Sequence, residues 1–157
     1  SSPVEVAQLL AEIVAQAQLL SGERGHRIEL EAEAGLQLNG SDSELHSAFA
    51  NLLFNAVNYT QPGAEIRVRW WSDAEGAHLS VTDNGPGIEE RHLARLTERF
   101  YRVDSGRSSA AGGTGLGLSI VKHVLLRHRA QLSIVSQPGH GSCFGCHFPH
   151  ERIAREH

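Results

Sequence analysis

The chain has 157 residues, 40% of them hydrophobic and 20% charged, which is the make-up of one globular domain with a real core. A formal net charge of −4 gives it no general attraction to nucleic acid. No apolar run approaches the about 20 residues that span a bilayer, no secretory signal is visible, and the Met-free sequence opening on "SSPVEVAQLL" reads as a piece of a longer protein.

In chain order, Val6, Leu10, Ile13, Ala17 and Leu20 recur at helical spacing, with Pro3 near the start, and predict an N-terminal helix over residues 1–22. "SGERGH" breaks it. "RIELEAE" and "LQLNG" then read as short strands. Ser41 to Glu44, "SDSE", has the spacing of a capping box. The helix it opens carries Leu45, Phe49, Leu52, Leu53 and Ala56 on one face and should end near Tyr59, before "TQPG". Alternation follows: Ile66, Val68 and Trp70 face one way, and Glu65, Arg67 and Arg69 the other. A second strand turns Leu79 and Val81 inward and His78 and Ser80 outward, and "DNGPG" stops it. A short helix is expected around Glu89 to Leu96. A glycine-led helix runs to about Arg129, and strands near Gln131–Ser136 and Ser142–Phe148 end the fold. Strands and helices come in unequal runs, so the expected class is α+β. Helices should cover one face of a largely antiparallel sheet in a single domain.

Two cysteines lie in "CFGCH", Cys143 to His147, a spacing shared with haem attachment and with metal or redox pairs. Phe144, Cys146 and Phe148 alternate with Cys143, Gly145 and His147, which is a strand pattern. Residues three apart on a strand point to opposite faces. The two sulfurs should diverge, and neither haem nor zinc is expected.

Three stretches have the composition of a ligand site. In "NLLFNAVNY", Asn51, Asn55 and Asn58 fall on one helix face. Asn is a mediocre helix former, and its amide oxygen is a hard, neutral ligand suited to Mg²⁺. Asp83 continues the inward face of Leu79 and Val81, and so puts a carboxylate at a strand end facing the helix layer. Burying it requires a donor, which a nucleobase amine supplies. An Asp-Asn-Gly-Pro turn with Asp83 bonding its own backbone is the alternative. Gly85 and Gly87 allow a tight turn and close approach of a flat ring. In "GGTGLGLSIVKHV", Gly112 to Val124, glycines lead into a helix. The stretch lacks the Lys-Ser/Thr of a P-loop and the strand-borne spacing of a dinucleotide fingerprint. The preceding "DSGRSSAAGG" is small and polar and reads as a mobile loop.

"NLLFNAVNYT", "DNGPGI" and "GGTGLGLSIVK", in this order, resemble the N, G1 and G2 boxes of the histidine-kinase branch of the ATPases that include gyrase, Hsp90 and MutL. "ERFYRVD", Glu98 to Asp104, resembles the F box. The resemblance runs from about Ser41 to Phe148. Within the branch, "NAVNYT" and "RLTERFYRVD" are most similar to sensor kinases of phosphate regulation, which implies a role in phosphate-starvation signalling.

The resemblance implies a two-layer sandwich of a mixed sheet behind three helices, with ATP and Mg²⁺ held under a mobile lid at about 99–113. Asn51 and Asn55 match positions that hold Mg²⁺ and phosphate oxygens, and with Arg102, which can reach the phosphates, they are the implied catalytic set. Asp83 matches the reader of the adenine amine, with Gly85, Gly87 and Ile88 beside the base. Asn58, Tyr59 and Phe100 match further nucleotide-binding positions. Gly113, Thr114, Gly115, Leu116, Gly117 and Leu118 match the lid end, whose backbone amides cradle phosphate at a helix N-terminus.

Many sensor kinases carry Lys or Arg where this chain has Asn58, so Arg102 or Lys122 would carry more of the charge. None of the ten histidines has the family's phosphoacceptor context, and His46, His78 and His123 read as surface or helix-face positions. The acceptor is therefore expected on a helical dimerisation domain before Ser1, which the first helix would pack against or continue from. The implied setting is a homodimeric kinase anchored in the inner membrane with this domain in the cytoplasm, serving a cognate response regulator. The rivals are an ATP-hydrolysing clamp of the gyrase or Hsp90 type and a non-catalytic nucleotide sensor. Clamps use a Glu as general base where this chain has Asn51.

Overall fold

A computed structural model describes residues 2–87 and 115–154 of the chain. Strand β1 (Ser2–Glu5) leads into helix α1 (Val6–Ser21), followed by β2 (Arg27–Ala32), β3 (Gln37–Gly40) and α2 (Asp42–Asn58). Then come β4 (Glu65–Asp73), β5 (Gly76–Asp83), α3 (Gly115–Arg127), β6 (Gln131–Ser136), β7 (Ser142–Pro149) and β8 (Ile153–Ala154). The main sheet has the order β2-β4-β5-β7-β6. Its β2–β4 pair is parallel and the other pairs are antiparallel, as the expected class requires. A small second sheet, β1-β3-β8, was not foreseen from the sequence.

The three helices among the described residues form one layer with α2 in the middle, packed against both α1 and α3 and lying across β5. Each buries the stripe its spacing dictates: Val6, Leu9, Leu10, Ile13 and Ala17 on α1; Leu45, Phe49, Leu52, Leu53 and Ala56 on α2; Leu118, Val121, Val124 and Leu125 on α3. Ile66, Val68, Trp70, Leu79, Val81, Cys146 and Phe148 meet them from the sheet. Phe148 stands edge-on to both Phe49 and Trp70, ring centres 6.2 Å apart in each pair. The Trp70 indole N–H donates to the Leu36 carbonyl at 3.2 Å.

The start of α2 departs from its sequence signature in one half. Ser41 caps the helix, its hydroxyl accepting from the Glu44 amide at 3.3 Å, an arrangement worth ~1 kcal/mol. Glu44 does not return the favour and instead pairs with Arg127 of α3 at 3.0 Å. The Ser41 amide donates to His128 Nε2 at 3.2 Å. A Cβ at Gly40 would fall 2.6 Å from that ring, so a larger residue before the cap would displace His128.

Two expectations are corrected. The N-terminal helix does not fill residues 1–22. Residues 2–5 pair antiparallel with β3, Val4 opposite Leu38, and α1 begins only at Val6. Pro3 therefore sits in an edge strand rather than in a first helical turn. The chain enters α1 from a strand. The glycine-led helix ends at Arg127, about where expected, and Arg129 turns the chain with φ +57°. His78 points away from the helices but is buried, because His147, Trp71 and Asp73 cover it. His46 is half-buried and His123 exposed. The expected helix around Glu89 to Leu96 and the lid at about 99–113 lie outside the described residues.

Candidate functional site

The Asn row of α2 is half-buried along its length, and each amide is differently engaged. Asn51 Nδ2 donates to the Ser47 carbonyl one turn back, at 2.7 Å. Asn58 Oδ1 faces Arg24 Nη1 at 3.5 Å, so a cation does stand beside the position where the sequence lacks one. Asn55 Nδ2 is buried with no hydrogen-bond partner among the described residues. An unpaired buried donor costs about 1–3 kcal/mol. It is the atom of the row that asks for an acceptor such as a phosphate oxygen. Tyr59 ends α2, its amide donating to the Asn55 carbonyl at 2.9 Å.

Asp83 is the last residue of β5 and sits opposite Ile66 on one side and Ser142 on the other. Its side chain takes the local turn that the alternative reading described: Oδ1 accepts from the Gly85 amide at 2.8 Å. The carboxylate is half-buried, and burial holds its pKa above the ordinary value against the pull of the Gly85 and Ser142 amides. No cation pairs with it among the described residues. The turn therefore orients the carboxylate without neutralising it. It remains an acceptor lacking a strong donor at the helix-facing end of the strand, which a nucleobase amine suits.

The loop after Asp83 is braced from behind by the β6–β7 turn. Gly139 N–H donates to the Pro86 carbonyl at 2.6 Å. Gly87 has φ +77°, and a Cβ there would lie 2.0 Å from the Gln137 carbonyl oxygen. Gly141 has φ +84°, and a Cβ there would lie 2.1 Å from the Asp83 carbonyl oxygen. Gly87 is thus required by this chain–chain contact, a reason distinct from the ring approach expected of it. A Cβ at Gly85 would come within 2.7 Å of Thr60 Cγ2, so the loop passes close against the end of α2. Sequence reasoning missed Thr60, His26 and Gly141. Only the turn signal "QPGHG" hinted at the last of them.

Gly115, Leu116 and Gly117 form the first turn of α3, where a helix leaves its backbone amides without partners inside the helix. Leu118 is buried in the hydrophobic core, 6% exposed, and Lys122 is exposed. Ile88, Phe100, Arg102, Gly113 and Thr114 lie outside the described residues. Cys143 and Cys146 diverge as expected: Cys143 is half-exposed beside Thr82, and Cys146 is buried in the core. No group of three metal-ligating side chains occurs among the described residues.

A concavity of about 650 Å³ opens on the other side of the sheet, lined in part by Arg27, Arg67, Arg69, Trp71, Thr82 and Cys143. Its arginines are paired to Glu65, Glu29 and Glu31 in exposed cross-strand bridges, which contribute little, and Asp83 also lines it. The Asn row faces away from it across the sheet.

Residues 40–152 match the family model described as histidine kinase-, DNA gyrase B-, and HSP90-like ATPase. Over 154 residues the chain is 61% identical to the phosphate regulon sensor protein PhoR of Pseudomonas aeruginosa, covering 98% of this chain and 35% of that protein. It spans about a third of the length of that curated relative. The solved mycobacterial sensor histidine kinase MprB superposes with a TM-score of 0.82 at 31% identity, covering 94% of this chain and 97% of that one. ShkA, solved full-length in complex with AMPPNP, superposes with a TM-score of 0.82 at 24% identity, covering 99% of this chain and 31% of ShkA, and supports the fold alone. The Asn row, the Asp83 turn and the glycine-led helix, in this order on this sheet and with these matches, show that the chain belongs to the histidine kinase-, DNA gyrase B- and HSP90-like ATPase family.

Proposed function

We propose that this chain is the nucleotide-binding half of a sensor histidine kinase. It binds ATP with Mg²⁺ and presents the γ-phosphoryl group to a histidine on a dimerisation domain of the same protein. The observation that carries the reading is the pair of unmet needs on one side of the sheet: an orphan buried donor at Asn55 and an unneutralised, half-buried acceptor at Asp83. A nucleotide answers both, the phosphate end at α2 and the adenine amine at the end of β5. The AMPPNP complex of ShkA is consistent with this assignment.

The residues present fit the two groups. Asn55 and Asn51 are the amides that would hold Mg²⁺, with Asn55 Nδ2 free to donate to a phosphate oxygen. Mg²⁺ takes neutral oxygen ligands while keeping several waters, so amides on one helix face suit it. The first turn of α3, with Gly115 and Gly117, offers backbone amides to phosphate. Arg102, Gly113 and Thr114 would complete that end, and Ile88 and Phe100 the base end. Bound Mg²⁺ would neutralise charge on the phosphates. The chain's own work is positioning, which is most of what phosphoryl transfer demands.

Likeness to PhoR supports placing the whole protein in phosphate-starvation signalling, as a homodimer that serves a response regulator. An inner-membrane anchor would lie outside this chain; none of the described helices is long and apolar enough to cross a bilayer.

The test is incubation with γ-labelled ATP, with and without an added dimerisation domain from the same protein. The chain alone should stay unlabelled, and the added domain should gain acid-labile phosphate. Stable label on one of the chain's own histidines, or ATP hydrolysis with no transfer, would overturn the reading in favour of a self-modifying domain or a clamp.

A further inference from the structure

His26 is 2% exposed and uses every polar atom it has within the protein. Its amide donates to Ser21 Oγ at 2.9 Å, Nδ1 lies 2.7 Å from the same hydroxyl, and Nε2 lies 2.8 Å from Thr60 Oγ1, 34 residues along the chain. The protons can be assigned. The Thr60 hydroxyl donates its one proton to the Ala56 carbonyl at 2.6 Å, so it must accept from His26 Nε2–H. Nδ1 is then the acceptor and Ser21 O–H its donor. Burial and the neighbouring Arg24 keep the ring neutral by lowering its pKa, in keeping with that tautomer.

Thr60 is thereby held at two points, and its rotamer is fixed. Its Cγ2 methyl is the nearest atom to where a Cβ of Gly85 would stand, at 2.7 Å. Gly85 in turn gives its amide to Asp83 Oδ1 at 2.8 Å. A continuous set of contacts therefore runs from the end of α1, through the end of α2, to the carboxylate at the end of β5. The same segment is fastened by the backbone, Gly63 N–H to the Arg24 carbonyl at 2.7 Å and Arg27 N–H to the Ala64 carbonyl at 2.9 Å. These bonds hold the strand ends together, Gln61 and Glu65 fasten Asn84 at 3.4 and 2.9 Å, and the His26–Thr60 bond sets the methyl that lies against Gly85.

We propose that His26 is a positioning residue for nucleobase recognition, fixing the Asp83 carboxylate through Thr60 and Gly85. The proposal rests on the reading of Asp83 as the adenine contact. It places a determinant of nucleotide affinity in the turn after α1, outside the three glycine- and asparagine-rich stretches that form the pocket.

The two ring nitrogens can be separated by substitution. Gln at position 26 puts an amide donor where Nε2 stands and keeps the bond to Thr60. Asn at position 26 puts an acceptor where Nδ1 stands and keeps only the bond to Ser21. ADP affinity of the 157-residue chain and thermal stability are to be measured for His26→Gln, His26→Asn, Thr60→Val and Asp83→Asn. Thr60→Val keeps a methyl over Gly85 and removes the hydroxyl, and it carries the test should the His26 variants fail to fold. His26→Asn and Thr60→Val should weaken ADP binding about five- to tenfold, the loss of one buried hydrogen bond, while His26→Gln stays within about twofold of the parent. Equal weakening in both His26 variants in step with lost stability, or parental affinity in His26→Asn or Thr60→Val, would overturn the proposal. Asp83→Asn separates the two levels: if it binds ADP like the parent, the reading of the base site fails and the proposal falls with it. If it binds weakly while His26→Asn does not, only the proposal fails.

Discussion

His78 and His147 face each other across the β5–β7 ladder with their Nδ1 atoms 2.9 Å apart. The outer nitrogens are occupied too, His78 Nε2 by Asp73 Oδ1 at 2.8 Å and His147 Nε2 by Ser133 Oγ at 2.8 Å. Two nitrogens in contact need one proton between them, so the pair accommodates one added proton and not two. Burial, and the neighbouring His78, hold the His147 pKa below the ordinary value, although Glu75 and Asp73 pull upward. His26 is lowered as well. A histidine whose folded pKa lies below its unfolded one contributes stability above the unfolded value of about 6.5, and loses it as pH falls from there toward the folded value. Asp73, lowered by its bond to His78, acts in a more acid window, below about 3.8. The melting temperature should therefore decline between about pH 7 and pH 5, and His147→Asn should shallow that decline. A melting temperature that is flat or rises over this range would contradict the assignment.

Asp83 carries the opposite sign. Its folded pKa is raised by burial, so its contribution is complete below the unfolded value and is lost as pH rises through the folded one. At neutral pH the ionised carboxylate burdens the empty fold. Asp83→Asn keeps an oxygen for the Gly85 amide and removes the charge, so the melting temperature at pH 7 should hold or rise. ADP affinity should meanwhile fall about ten- to a hundredfold, the scale of a lost charge-assisted hydrogen bond. A variant that is both less stable and unimpaired in ADP binding would show that Asp83 serves the turn alone.

The two cysteines should differ sharply toward a thiol reagent. Cys146 is in the core, and burial pushes its thiol up to about 12, so almost no thiolate exists at neutral pH. Cys143 is on the other face, half-exposed, its sulfur 3.2 Å from Thr82 Oγ1. A maleimide should label one site in the folded chain and two after denaturation, with Cys143→Ser removing the fast site. Stoichiometric metal or haem lost in Cys143→Ser would overturn the strand-face argument.

What the sequence made legible was what local pattern decides. The Ile66-Val68-Trp70 alternation gave a strand face, the Leu45-Phe49-Leu52 stripe gave the buried side of α2, and the Phe144-Cys146-Phe148 alternation parted the cysteines. The Asn row and the Asp83 turn were visible because three amides on one helix face and an inward carboxylate are unusual choices for a core-facing pattern. What stayed hidden depends on partners distant in sequence. Residues 2–5 become a strand only because β3 lies alongside, and with Pro3 they otherwise read as a helix lead-in. Glu44 has the right spacing to close the capping box, yet Arg127, 83 residues away, takes it. His26 shows no pattern at all, because its role is defined by Thr60 and Ser21.

The last expectation concerns Asn55. Removing a buried side chain ordinarily destabilises by loss of packing, but this amide leaves Nδ2 without a partner, a cost of about 1–3 kcal/mol that truncation relieves. The two terms oppose each other, so Asn55→Ala should leave the stability of the empty chain near that of the parent. If the amide holds Mg²⁺ and a phosphate oxygen, the same variant should lose phosphotransfer to a supplied dimerisation domain. It should keep much of its ADP affinity without Mg²⁺, since the base contacts lie on the strand side at Asp83. Asn51→Ala provides the contrast: its Nδ2 is bonded within its own helix at 2.7 Å, so truncation relieves no orphan and the empty chain gains nothing from it. Nucleotide titration with and without Mg²⁺, thermal melts and transfer assays on the two variants together check the assignment. Parental transfer in Asn55→Ala would remove it from the metal and phosphate site, and a large loss of stability there would mean that the amide is a structural partner after all.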